Sequence, residues 1–287
     1  MQLLRTLPIG ALLLSFAAPG LAVAQGFEGK IEQREILVSE YGLSELLYSE
    51  DEEEAAELSP DNVFSIPVER ILALSGELGE EAVEITELTY YVTAGKMRVE
   101  SASDMMPGHM IMDFESGVFQ MVVPMQKMYM EITKEDMEEL QEQYPDMSES
   151  DEPSAKPQIR SLGTSKEING MRCEGFEIVK GETVSNVWVS SDLKDVVTAF
   201  QSFVDRMEVF GMEDEDDEEL EVFELMKEHG FPVLEQTLNN FGWEMGYEIS
   251  EIISVERSDV PADLFVIPSD YQRRSFMEMM GGLGGGN

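Results

Sequence analysis

The stretch His109–Ile132, HMIMDFESGVFQMVVPMQKMYMEI, decides the fold that the sequence predicts. Apolar residues recur at every second position, which is the side-chain period of a β-strand with one buried face. Two breaks, Glu115–Gly117 and Pro124–Gln126, contain glycine or proline and predict turns. Strands joined by such short turns pair antiparallel, so a meander is expected. The predicted strands are His109–Phe114, Val118–Val123 and Lys127–Ile132.

Methionine supplies much of the apolar face of this meander. Ten of the 20 methionines lie between Met105 and Met147, so the enrichment is local. Thioether side chains are flexible and polarisable, and they form adaptable apolar surfaces. Two interpretations of this enrichment stay open: the methionines line a site for an apolar ligand, or they fill the core. Within the first strand Met110, Met112 and Phe114 share one face, within the second Phe119, Met121 and Val123 do, and within the third Met128, Met130 and Ile132 do.

Further segments carry either the strand period or the helix period. Asn169-Gly170 separates two of them and is a strong signal for a tight hairpin turn. The further predicted strands are Phe27–Val38, Thr89–Val92, Met97–Glu100, Gly163–Ile168, Met171–Val179, Thr183–Ser190, Gly242–Ile249 and Glu251–Arg257. The predicted helices are Leu43–Leu58, Val68–Leu78, Lys134–Tyr144, Asp192–Met212 and Glu213–Gly230.

This order of elements predicts an α+β fold, because it contains no sustained alternation of strand and helix. The expected architecture is a strongly curved antiparallel sheet, an incomplete β-barrel, with helices covering one face. A single domain is expected over residues 25–275, with a helical acidic insertion at about 43–83. The glycine-rich tail, residues 276–287, is expected to be disordered.

The first residues have the three regions of a secretory signal peptide. Arg5 gives a positive start, Leu7–Ala18 is an apolar run too short to span a bilayer, and Ala22–Ala24 is a small-x-small cleavage site. The sequence therefore predicts a signal peptide over residues 1–24. A lipid-anchored protein would need a cysteine directly after the cleavage site, and none is there. No other segment has the length and apolarity of a transmembrane segment, so a periplasmic or secreted protein is expected.

Cysteine and histidine are too scarce for most metal or catalytic sites. Cys173 is the only cysteine, which excludes an intramolecular disulfide and favours a buried structural role. His109 and His229 are far apart and outside any familiar zinc-ligand spacing. No nucleophile elbow, P-loop or dinucleotide fingerprint occurs. The sequence therefore predicts neither catalytic residues, nor a metal site, nor a cofactor, and the protein is not expected to be an enzyme.

Charge excludes one class of partner. Lys and Arg total 19 against 59 Asp and Glu, which gives a net charge of -40. Such a surface repels phosphate backbones, so nucleic-acid binding is not expected. The acidic runs Glu50–Glu54 and Glu213–Glu219 lack the glycine-punctuated spacing of a calcium loop and are expected to be solvated helical segments.

A set of short motifs, weak singly but specific in their order, resembles a known family. The motifs are Phe27-Glu28-Gly29, Tyr91-x-x-x-Gly95-Lys96-Met97-Arg98, Met112-Asp113, Val123-Pro124-x-x-Lys127-x-Tyr129, Gly163-x-x-x-Glu167-Ile168-Asn169-Gly170-x-x-Cys173, Val187-Trp188-Val189-Ser190 and Leu264-Phe265-x-Ile267-Pro268-x-x-Tyr271. They resemble a family of exported bacterial proteins with a domain of unknown function, similar in fold to the lipoprotein-carrier (LolA-like) superfamily. The resemblance omits the signal, the insertion and the acidic runs.

The resemblance implies a half-barrel around an apolar cavity closed by helices. Arg98 is the candidate for the cavity arginine of the carriers only by its place on a strand. The leading hypothesis is a non-enzymatic protein that binds a lipid, an acyl chain or a lipidated protein. The alternatives are a protein–protein interaction module with a filled core, and a Cu(I) binder that uses methionines with His109. The candidate cavity residues are Tyr91, Arg98, Met110, Met112, Phe119, Met121, Met128, Met130 and Trp188.

Overall fold

The structure, a computed structural model, describes most of the chain between residues 26 and 275. The described residues are 26–47, 59–79, 81–101, 108–114, 116–133, 136, 156–207, 217–240 and 245–275. Five sequence predictions fall wholly or largely outside them. These are the signal peptide, the acidic run Glu50–Glu54, the helix Lys134–Tyr144 apart from Asp136, most of the acidic run Glu213–Glu219, and the tail 276–287.

Strands dominate the described residues. They are β1 Gly29–Ser39, β2 Val83–Val92, β3 Lys96–Ser101, β4 His109–Asp113, β5 Val118–Val123, β6 Met128–Ile132, β7 Gln158–Ile168, β8 Met171–Lys180, β9 Thr183–Ser190, β10 Phe231–Asn240, β11 Met245–Arg257 and β12 Gln272–Ser275. The helices are α1 Glu40–Leu47, α2 Pro60–Phe64, α3 Val68–Leu78, α4 Lys194–Met207 and α5 Asp217–His229. No helix in this part of the chain is long and apolar enough to cross a membrane.

All 12 strands form one open sheet in the order β12-β6-β5-β4-β3-β2-β1-β11-β10-β9-β8-β7. Every pairing is antiparallel except that between β12 and β6. The predicted meander is confirmed, since β4, β5 and β6 pair as consecutive neighbours. Strands from the two ends of the described chain meet in the middle of the sheet, because β11 pairs with β1.

The sheet bends sharply at the end that carries β7 and β8. Asn169, in the turn between these strands, donates from Nδ2 to the carbonyl oxygen of Ile252 in β11 at 2.8 Å. Strand β8 is three steps from β11 in the sheet, which would be about 14 Å in a flat one. A direct hydrogen bond across that span requires a curved sheet.

Helices pack on both faces of the sheet, which corrects the predicted single helical face. We call the face that carries Met110 the front and the opposite face the back. Helices α1 and α2 lie on the back, where Phe64 contacts Tyr247 with ring centroids 6.1 Å apart. Helix α5 lies on the front, where Leu225 packs with Phe176 and Val187. Two separated helical segments, one after β1 and one after β9, reach different faces.

Three strand predictions at the C-terminal end were wrong or incomplete. The two predicted strands Gly242–Ile249 and Glu251–Arg257 are one strand, β11. Strand β10 was missed because Pro232 ordinarily marks the end of an element, yet here it lies beside a register irregularity, where sheets tolerate proline. Gly230 permits the sharp entry, since a Cβ there would lie 1.9 Å from the carbonyl oxygen of Ser190. Strand β12 was also missed, because Gln272–Ser275 is polar and exposed.

Candidate functional site

The methionine-rich side chains of the meander come together on the front face. The cross-strand register aligns them in two rows that run perpendicular to the strands. One row is Val99, Met110, Met121 and Met130, and the other is Met97, Met112, Phe119 and Ile132. We call these eight residues, together with Met128 opposite Val123, the methionine face.

Burial is uneven across the methionine face. Met97, Met112 and Met130 are buried, whereas Met110, Phe119 and Met121 are only partly buried. The buried members adjoin the main core, which holds Ile31 and Tyr90 on the same face of the neighbouring strands. The partly buried members leave flexible apolar side chains within reach of a ligand.

A second feature of the front face is a group of three carboxylates on the central strands. Glu35 of β1 lies opposite Ser250 of β11, and Ser250 lies opposite Glu235 of β10. Glu248 is two residues from Ser250 on β11, so it is a diagonal neighbour of both other carboxylates, at about 7–8 Å between backbones. We call Glu35, Glu235 and Glu248 the carboxylate cluster.

Each member of the carboxylate cluster has one weak polar partner at 3.3 Å. Gln33 donates to Glu35, Thr237 donates to Glu235, and Asn239 donates to Glu248. The second oxygen of Glu35, Oε2, is buried and makes no hydrogen bond within the described structure. No Lys, Arg or His of the described residues forms an ion pair with any of the three.

Burial and mutual repulsion govern the acidity of the cluster. Burial, and then the nearby charge of Glu248, raises the pKa of Glu35 from 4.5 to about 7. Burial likewise raises the pKa of Glu235 to about 7, with Glu248 adding to the effect. Burial raises the pKa of Glu248 as well. Desolvation, followed by the Glu35 carboxylate, raises the pKa of Tyr90, which links the cluster to the core beside the methionine face.

Three of the predicted cavity residues lie on the back of the sheet, away from the methionines. Tyr91 and Arg98 are register partners there, and the Arg98 guanidinium donates to the carbonyl oxygen of Leu264 and pairs with Glu100. Trp188 is opposite Leu234, and the Lys166 ammonium stands 3.9 Å from its ring centroid. Arg98 thus holds the C-terminal segment against the sheet.

His109 also faces the back, because it alternates with Met110 along β4. Burial lowers its pKa to about 4. The register therefore separates this imidazole from the methionine sulfurs that the Cu(I) hypothesis groups with it. Cys173 is fully buried, and burial raises the pKa of its thiol to about 11, as expected for a structural cysteine.

A cavity of about 380 Å³ lies on the back between the meander and the C-terminal segment. Its walls are mixed, with Lys96 paired to Asp113 at 2.8 Å on one side and Phe265 on the other. Val266 at its rim is 65% exposed. The wall of this cavity therefore contains an ion pair, whereas the methionine face consists of apolar side chains.

Sequence patterns did not indicate the carboxylate cluster. Glu35 occurs in IEQREILV, and in a strand with one solvent-exposed face a glutamate is expected on that face. Only the long-range register brings it beside Glu248 and Glu235, which are roughly 200 positions away in the chain. The pattern that could have indicated its burial is that Glu35 shares a face of β1 with the apolar Ile31.

The described residues contain no group of three or more His, Cys, Asp or Glu side chains arranged to hold a metal ion. The front face is apolar on β3–β6 and carries the three carboxylates on β1, β10 and β11.

Comparison with known proteins finds one matching family and solved structures of low similarity. A family model described as "Domain of unknown function (DUF4412)" matches residues 77–271, more than half of the chain. No curated protein matches. An uncharacterized conserved protein from Thermus thermophilus is similar at a TM-score of 0.38 and 7% identity, over 85% of this chain and 90% of that one.

Two crystal forms of PNGF-II are also similar, with TM-scores of 0.35 and 0.34 and 7% identity. They cover 90% of this chain, but this chain spans only about a third of their length, 33% and 34%.

Proposed function

This chain belongs to the DUF4412 family, a domain of unknown function, and we propose that it binds an apolar ligand on the methionine face. The single observation that carries the proposal is the alignment of methionine and other apolar side chains in two rows across four neighbouring strands. The ligand is a lipid, an acyl chain or a lipidated protein, and its binding requires no catalytic step.

The physical support is the combination of continuity and partial exposure. Met110 and Met121 are register partners in the middle of a row and are only partly buried. Burying their remaining apolar area against a ligand stabilises a complex by about 25 cal/mol per Å². Unbranched thioether side chains adjust to the shape of an acyl chain, which suits a ligand that has no polar groups for recognition.

The proposal includes an exported protein with a fold like that of lipoprotein carriers. The predicted signal peptide and the order of motifs support export, and the open curved sheet is compatible with a half-barrel. Arg98 has no place in the proposed site, because it bonds to Leu264 on the other face. The ligand contacts are instead the partly buried methionines and Phe119.

We expect the double variant Met110→Gln, Met121→Gln to bind the neutral apolar dye Nile red at least roughly tenfold more weakly than the wild type. The two substitutions keep side-chain length but place amides against the apolar guest, where they lack partners. Fluorescence titration of the mature protein measures the change. Native mass spectrometry of the freshly purified protein tests in parallel for a lipid that co-purifies.

Met125→Gln is the matched control, since Met125 is 90% exposed in the turn before β6 and outside the methionine face. It should bind the dye as the wild type does. A wild type that neither carries lipid nor takes up Nile red would refute the proposed function. So would a double variant that binds with unchanged affinity.

A further inference from the structure

The carboxylate cluster is unusual because Glu35 is buried and all three members have only weak polar partners, on the face that carries the proposed ligand. Glu35 is 8% exposed, and its Oε2 has no hydrogen-bond partner in the described structure. Buried carboxylates are ordinarily paired or fully hydrogen-bonded, since an uncompensated one is costly. Glu235 and Glu248 lie beside Glu35 and are partly buried. Above about pH 7, where Glu35 and Glu235 are ionised, the cluster is a negatively charged site with which no cationic side chain of the described residues pairs.

The arrangement of the three carboxylates defines the kind of cation that fits. Glu248 occupies the corner between Glu35 and Glu235, and its charge acts on both. The described residues hold no group of three or more acidic, His or Cys side chains that could hold a metal ion. A primary ammonium group has three N–H donors and bridges spaced oxygens.

The cluster is reachable from one end of the sheet. Leu37 is the register partner of Glu248 and is 44% exposed. Glu235 and Glu248 are themselves only partly buried. A head group therefore has access at Glu248 and Glu235, with the more deeply buried Glu35 behind them.

The cluster and the methionine face belong to one surface. Glu35 and Ile31 share the front face of β1, Ile31 pairs with Tyr90, and Tyr90 pairs with Val99 of the methionine face. Two strand spacings and four residues along a strand separate Glu35 from Val99, on the order of 16 Å. That span suits one amphiphile with its head and its tail at opposite ends.

We propose that the ligand is an amphiphile with a primary amine head group, bound by Glu35, Glu235 and Glu248 while its apolar tail lies on the methionine face. This inference rests on the proposed function and specifies its ligand class. The ammonium group donates to the carboxylates and supplies the positive charge that the described chain does not provide there. An anionic fatty acid, by contrast, is repelled from this end of the surface.

The test compares dodecylamine with dodecanol, which have the same tail and different head groups. Each compound is titrated to displace Nile red from the mature protein at pH 8.5, above the pKa of about 7 of Glu35 and Glu235, at 150 mM salt and below its micelle concentration. The wild type should bind dodecylamine roughly tenfold more tightly than dodecanol. In the double variant Glu235→Gln, Glu248→Gln, the preference should fall to near one, with dodecanol affinity unchanged.

Retained dodecanol binding shows that the double variant is folded. The single variant Glu248→Gln gives an independent measurement, in which the preference for dodecylamine should fall by less. Glu87→Gln is the charge control, because Glu87 is exposed on the back of β2. Equal binding of both compounds by the wild type overturns the head-group proposal and leaves the proposed function standing. Failure of both compounds to bind overturns both. An equal loss of preference in Glu87→Gln assigns the effect to net charge and overturns the site.

Discussion

The variant Tyr247→Ala is expected to lower the free energy of unfolding by about 4 kcal/mol. Tyr247 is 0% exposed and lies on the back of β11, where Phe64 of α2 packs against its ring. Removing a large buried aromatic side chain loses its transfer free energy and leaves a cavity, which together cost about 3–5 kcal/mol. The aromatic ring also fixes the helical segment between β1 and β2 to the sheet. Urea denaturation followed by circular dichroism measures the change.

Two further variants separate the ring from its hydroxyl. Gln236 Nε2 donates to the Tyr247 hydroxyl at 2.6 Å in a buried setting. Tyr247→Phe leaves that amide without its acceptor and should cost about 1–2 kcal/mol. Tyr41→Ala removes a ring that is 52% exposed and should stay within about 0.5 kcal/mol of the wild type. A Tyr247→Ala loss no larger than that of Tyr41→Ala would contradict the role of the back-face core.

Local patterns predict the meander and one helix well. The strands of His109–Ile132 are confirmed because their alternation and turns are both local signals. Helix α3 occupies Val68–Leu78, as its spacing predicts. Besides Pro232, the polar residues Glu235–Thr237 hid strand β10, because they interrupt the apolar alternation of an ordinary strand. Those polar residues are tolerated because Gln236 and Thr237 find side-chain partners within the sheet.

The site was only half predictable for a physical reason. Alternation assigns residues to a face within one strand, and it correctly grouped the methionines of β4, β5 and β6. It cannot say which face of one strand continues which face of another. Tyr91, Arg98 and Trp188 were therefore joined to the methionines, although the register puts them on the back. Residues of both parities are buried in β1, so the alternation of Glu35 with its neighbours carries no information about exposure.

The second large effect concerns Glu35 and pH. We expect Glu35→Gln to stabilise the protein by about 3 kcal/mol at pH 8.5 and to have little effect at pH 4.5. The folded pKa of Glu35 is raised from 4.5 to about 7, so the folded state holds this proton more tightly than the unfolded state does. The protonated group imposes no charge penalty below about pH 4.5. Between that pH and 7 the unfolded chain gives up the proton first, so stability falls by about 1.4 kcal/mol for each unit of pKa difference and then levels off.

The carboxamide that Glu35→Gln introduces is neutral at every pH and keeps an oxygen acceptor for Gln33, so the variant should lose this part of the pH dependence. Urea unfolding at several pH values between 4.5 and 8.5 measures the difference between variant and wild type. Glu87→Gln again removes one charge, from an exposed position on the back face, and controls for the net charge of -40. Equal stabilisation by both variants at pH 8.5 would attribute the effect to overall repulsion. Only a gain confined to Glu35→Gln, growing as pH rises, fits a buried carboxylate without a cation, and an added amine ligand should then reduce that gain by supplying the missing charge.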